Sequence, residues 1–109
     1  MKQSFVHAMV LAAFLLSAKF AHAADYVITL ENQRFSPYEL IVPAGHKVTV
    51  TVKNQDANPA EFESSALNRE KVLPAKHAMT LFIGPLEVGS YGYCDDYRCD
   101  TTQGVITAK

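Results

Sequence analysis

Hydrophobic and polar positions alternate with a period of two over most of the chain, and no long stretch carries a helical period. Tyr26–Glu31 sets Tyr26, Ile28 and Leu30 against Val27, Thr29 and Glu31, the pattern of a half-buried strand. Tyr38–Val42 predicts a second strand, stopped by Pro43-Ala44-Gly45. In His46–Lys53, Val48, Val50 and Val52 face one way and Thr49, Thr51 and Lys53 the other. The run Asn54–Pro59 ends that strand, because Asn and Asp favour turns and Pro cannot donate to a ladder. Glu61–Glu63, Ala78–Ile83, Gly89–Cys94 and Gln103–Ala108 complete the strands, and Ser65–Arg69 reads as one helical turn. About seven short strands separated by turn signals predict an all-β, antiparallel Greek-key sandwich. With no helix to make a βαβ crossover, the pattern excludes a parallel sheet.

The first residues follow a different rule. Lys2 precedes an apolar run from Phe5 to Leu16 broken by His7, and Ala21-His22-Ala23 follows. A positive tip, an apolar middle and an Ala-x-Ala site predict a secretory signal peptide over 1–23, cleaved after Ala23. The run is shorter than the ~20 apolar residues a spanning helix needs, so no membrane span is expected in the mature chain. One domain, 24–109, would remain. Of the chain's 10 basic and 11 acidic residues, export removes Lys2 and Lys19 and leaves 8 basic groups against 11 acidic. No basic excess is left to hold a phosphate backbone, so nucleic acid is not an expected partner.

Motifs of hydrolases, nucleotide-binding enzymes and dehydrogenases are missing from the sequence, so it predicts no catalytic residues and no organic cofactor. His46 and His77 each follow a turn, where exposed strand starts are common. The acidic residues say more. Glu61 and Glu63 flank Phe62; with Phe62 in the core, both carboxylates leave the opposite face ~6.5–7 Å apart. Glu70 follows shortly, and Asp95-Asp96 lies just past the Gly89–Cys94 strand. These five acids form either a hard, oxygen-rich cation site or a solvated face and turn.

Cys94 and Cys99 also have two readings. On an extended strand their Cα atoms would stand ~17 Å apart, beyond the ~4.4–6.8 Å of a disulfide, so a bridge requires residues 95–98 to turn back. Such a bridge would stabilise by about 2 kcal/mol in the chain-entropy model. The other reading makes one of them a thiolate metal ligand. Export favours the bridge. A redox switch is a further reading, although the spacing is not Cys-x-x-Cys.

The residues Phe35-Ser36-Pro37, Ile41-Val42-Pro43-Ala44-Gly45 and Val48–Asn54 resemble the opening half of a cupredoxin. More narrowly, Glu61-Phe62-Glu63-Ser64, Leu67-Asn68-Arg69-Glu70-Lys71, Gly84-Pro85-Leu86, Gly89-Ser90-Tyr91 and Thr101–Ile106 resemble the EfeO-type cupredoxin-like domains. The resemblance implies a periplasmic protein that handles copper or iron for an iron-uptake or ferrous-iron oxidation system. Its partners would be periplasmic uptake components or a membrane permease. It further implies that Glu61 and Glu63 stand near Cys94–Cys99 at one pole. This chain departs from the pattern in having neither His nor Met after Cys94. It carries Cys94-Asp95-Asp96-Tyr97-Arg98-Cys99 where those relatives often have Phe-Asp-Glu-Tyr-His-Pro. The alternative is therefore a metal-free sandwich that docks onto a partner of the transporter.

Overall fold

The computed structural model describes residues Asp25–Lys109; the expected leader and its cleavage point lie outside them. The strands are β1 Asp25–Glu31, β2 Arg34–Ser36, β3 Glu39–Val42, β4 Val48–Asn54, β5 Ala60–Ser64, β6 Arg69–Leu73, β7 Ala78–Ile83, β8 Gly89–Asp95 and β9 Gln103–Ala108. A 3₁₀ turn, Asp96–Arg98, separates the last two. They form a four-stranded sheet ordered β2-β1-β4-β7 and a five-stranded sheet ordered β3-β9-β8-β5-β6. This is the all-β sandwich that the alternation predicts.

Two pairings in this mostly antiparallel structure are parallel. β1 runs parallel to β4, with Tyr26 opposite Val50, and β3 runs parallel to β9, with Leu40 opposite Ile106. A parallel pair needs a crossover of a dozen or more residues, and that crossover need not be a helix. Here β3, in the facing sheet, carries the chain from β1 to β4. The expected helical turn at Ser65–Arg69 is instead a hairpin turn leading into β6. Asn68 adopts the left-handed conformation there (φ 55°), which Asn tolerates better than most residues. Ser64 Oγ accepts from Leu67 N at 3.1 Å and donates to Gly92 O at 2.6 Å, tying that turn to β8.

The valines of β4 show why the pattern works. Val48, Val50 and Val52 are buried between the sheets with Ile28, Leu81 and Ile106, whereas Lys53 is exposed. Each fully buried aliphatic side chain contributes roughly 1.5–3 kcal/mol relative to exposure. Two edge strands lie beyond that signal. β2 buries Phe35 alone, and β6 buries Leu73 alone. β6 also points Lys71 toward the inner side at the open edge, opposite Phe62, and inward charge blunts edge-to-edge association. Arg69 laces the same edge to the other sheet: its guanidinium donates to Leu67 O, Asn68 O and, at 2.8 Å, Phe82 O of β7.

Under the five-stranded sheet, Tyr93 stacks on Phe62 at 4.8 Å between centroids and meets Phe35 edge-on at 4.9 Å. Its hydroxyl is buried without a hydrogen-bond partner. Burial, and then Tyr38, hold the phenol well above tyrosine's usual range. An unsatisfied buried hydroxyl costs ~1–3 kcal/mol. Tyr93→Phe is therefore expected to raise stability by about 1 kcal/mol in urea unfolding, and a loss of that size would show that the hydroxyl is satisfied in solution.

Candidate functional site

β5 alternates strictly, with Ala60, Phe62 and Ser64 buried and Glu61 and Glu63 half-buried on the outer face. Residues directly opposite in an antiparallel pair share a face. Glu63 is opposite Glu70 of β6 on one side and Cys94 of β8 on the other, and Cys94 is opposite Gln103 of β9. One row on the outer face therefore reads Glu70, Glu63, Cys94, Gln103. The 3₁₀ turn brings Asp96 to the same place: one of its oxygens lies within 4.8 Å of a Glu63 oxygen and Cys94 Sγ, and it is among the groups that raise the Glu61 carboxyl. Four of the five expected acids, Glu61, Glu63, Glu70 and Asp96, thus gather at one pole.

Asp95 does not join them. β8 continues one residue further than the sequence pattern indicates, so Asp95 points inward with Tyr91 and Tyr93 and is only 2% exposed. Its Oδ1 accepts from Glu61 N at 3.0 Å and Tyr97 N at 3.1 Å, and its Oδ2 pairs with Arg98 Nη1 at 3.2 Å. Asp95 thus caps the 3₁₀ turn and pins it to β5. Arg98 is engaged by this inward carboxylate.

Crowding shows in the protonation of Glu61. Desolvation first, then the hydrogen bond to Asp96, then the charges of Glu70, Asp96 and Glu63 push its carboxyl above the ordinary value of 4.5. A carboxyl raised on folding binds its proton more readily in the folded than in the unfolded chain. Its contribution to stability is therefore full below the ordinary pKa and is lost as pH rises through the folded value. Glu61→Gln keeps a donor toward Asp96 and cannot ionise. Its melting temperature relative to wild type is expected to be higher at neutral pH than well below 4.5. A pH-independent difference would contradict the crowding.

Cys94 and Cys99 are joined in a disulfide, with Cα atoms 5.1 Å apart; the 3₁₀ turn supplies the reversal that an extended segment lacks. Among the described residues, the donors that could converge on one ion are a carboxylate oxygen of Glu63, Cys94 Sγ and a carboxylate oxygen of Asp96, all within 4.8 Å of one another. Neither His46 nor His77 belongs to that group; His77 Nδ1 is hydrogen-bonded to Ala75 O in its own turn. A blue-copper centre takes two imidazoles, a thiolate and a weak axial ligand. The donors present do not fit it, because the sulfur is sealed and the neighbours are carboxylates. Beside the acids, an open groove of about 530 Å³ runs over Gly92, bordered by Tyr38, Ala66, Cys99 and Val105. Gln103 closes one side by donating from Nε2 to Cys99 O at 2.6 Å. That contact depends on the β8–β9 register and leaves no signal in the sequence.

The fold is shared widely. The chain superposes on auracyanin A, a "blue" copper protein from Chloroflexus aurantiacus, with a TM-score of 0.67 at 15% identity, over 79% of this chain and 98% of that one. It matches a purple cupredoxin from Nitrosopumilus maritimus with a TM-score of 0.63 at 23% identity, over 78% and 100%. The metal binding domain of the Cu(I) exporting P-type ATPase of Streptococcus pneumoniae D39 gives 0.66 at 13%, over 78% and 84%. In sequence, the chain is 34% identical over 79 residues to an uncharacterized protein of Rickettsia prowazekii (strain Madrid E), covering 72% of this chain. It spans 63% of that relative's length. The model of the cupredoxin-like domain matches residues 4–108. By that match, the chain belongs to the cupredoxin-like domain family, and the solved structures share its fold.

Proposed function

We propose that this protein is a non-enzymatic, exported cupredoxin-like module that docks through the outer face of its five-stranded sheet onto a positively charged partner surface. The partner, on this reading, is a periplasmic component or membrane permease of an iron-uptake system, as the likeness to EfeO-type domains implies. One observation carries the reading: the sulfur of Cys94 is sealed by Cys99 while Glu63 and Asp96 lie against it, with Glu70 and Glu61 beside them. Four crowded carboxylates raise the on-rate for a cationic surface and exclude acidic ones. Among the described residues no helix is long and apolar enough to cross a membrane.

The test is site-specific photo-crosslinking in cells. A photoreactive residue at Ala66, in the groove, is expected to capture the partner, and capture falls in Glu61→Gln/Glu63→Gln/Glu70→Gln. The same probe at Phe82, exposed on the other sheet, is expected to capture none. Capture from Phe82 alone, or capture indifferent to the three substitutions, contradicts the reading.

A second reading rests on the carboxylate oxygens of Glu63 and Asp96, close enough to hold one copper or iron ion without the sulfur. Titration of the unreduced protein with Fe(II), Fe(III) and Cu(II) separates the two. Micromolar binding abolished by the triple substitution supports cation capture, and indifference to all three ions excludes it.

A further inference from the structure

Cys94 and Cys99 have four residues between them, a Cys-x4-Cys arrangement within the spacing of paired zinc thiolates. The Cys94 sulfur already lies within 4.8 Å of one oxygen each from Glu63 and Asp96. The segment between the cysteines is held by contacts that do not pass through the disulfide. Asp95 binds Glu61 N, Tyr97 N and Arg98; Thr101 N and Thr102 N donate to Arg98 O at 3.1 and 2.9 Å; Gln103 holds Cys99 O. Breaking the sulfur–sulfur bond therefore removes a staple without removing the loop's shape.

We propose that reduction of the Cys94–Cys99 bond converts this pole into a zinc(II) site made of two thiolates and the carboxylates of Glu63 and Asp96. Two sulfurs and two oxygens around a tetrahedral ion suit a borderline-soft dication, and sulfurs at about 2.3 Å from zinc stand roughly 3.8 Å apart. Cα atoms 5.1 Å apart permit that separation with a small side-chain adjustment. The dication offsets the two negative charges that the thiolates add, so zinc lets both cysteines ionise beside the carboxylates without raising the net charge of the pole. The inference is independent of the docking reading: it concerns the reduced chain, and it is read by metal binding, not by partner capture.

The reductant is a dithiol. Cys99 is exposed and Cys94 buried, so a thiolate of the dithiol attacks Cys99 Sγ, forming a mixed disulfide and releasing Cys94 as thiolate. The second thiol, once deprotonated, attacks its own partner sulfur, releases the Cys99 thiolate and closes the dithiol's disulfide. Two electrons pass to the protein and the dithiol is oxidised. The two dithiol protons go to the cysteines, or to solvent when zinc takes both thiolates.

The experiment uses the purified protein, oxidised or reduced with a phosphine, titrated anaerobically with Co(II) and then with zinc. The reduced protein is expected to bind one Co(II) with a thiolate-to-cobalt charge-transfer band, to exchange it for one zinc, and to resist alkylation of both cysteines once loaded. Its zinc affinity is expected to exceed that of the oxidised form by on the order of 100-fold or more. Glu63→Gln and Asp96→Asn each lower the reduced form's affinity about 10–100-fold. Circular dichroism reports whether the sheets survive reduction. Equal zinc affinity in the two forms, wild-type affinity in both carboxylate variants, or loss of the sheet signal on reduction overturns the proposal.

Discussion

Replacing Asp95 by Ala is expected to cost about 3–5 kcal/mol, most of the stability of a domain this small. The carboxylate is 2% exposed and accepts from Glu61 N, Tyr97 N and Arg98. Hydrogen bonds to a charged group contribute roughly 1.5–3 kcal/mol each, and Ala would leave donors without their acceptor. In a domain of this length the loss amounts to a fall in Tm of roughly 15–30 °C. Asp95→Asn retains one acceptor oxygen and weakens the Arg98 pair, so about half the loss is expected. Calorimetry of both variants checks this. A cost below about 1 kcal/mol for Asp95→Ala would mean that the 3₁₀ turn is held by something else.

Gly104→Ala is the second large effect. A Cβ at Gly104 would overlap the hydroxyl and ring of Tyr93, coming to 2.9 Å even from Cε1. Tyr93 has nowhere to go, because Phe35 and Phe62 hold its ring on two sides. Overpacking of this kind costs ~1–3 kcal/mol, and the upper end applies where the neighbour is wedged. In a Tyr93→Leu background the obstacle is gone, so the cost of Gly104→Ala should shrink by at least about 1 kcal/mol in a double-mutant cycle. Additive effects in the cycle would refute the contact. The glycine thus follows from a collision across β8–β9, as its backbone φ is ordinary.

How much of this was legible depends on what each residue faces. Val48, Val50 and Val52 declare β4 because every second side chain is buried. Arg69-Glu70-Lys71 conceals β6, since an edge strand needs main-chain pairing more than burial. The parallel pairs are tertiary facts, created by strands changing sheets, and no local pattern encodes them. At the site, period two around Phe62 places Glu61 and Glu63 correctly. Glu70 meets Glu63 only through the hairpin register. Asp95 and Asp96 are indistinguishable as neighbours in a sequence, and one further residue of β8 sends the first inward and the second out. Cys94 and Cys99 required a reversal between them, which the cap on Asp95 and the 3₁₀ turn provide.

Titration of the unreduced protein with Cu(II), followed by visible absorption, tests most directly the claim that the fold is kept without a thiolate copper centre. No intense sulfur-to-copper charge-transfer band is expected at any copper ratio, since Cys94 is bonded to Cys99 and carboxylates stand beside it in place of imidazoles. A strong blue or purple band from the oxidised chain would contradict it.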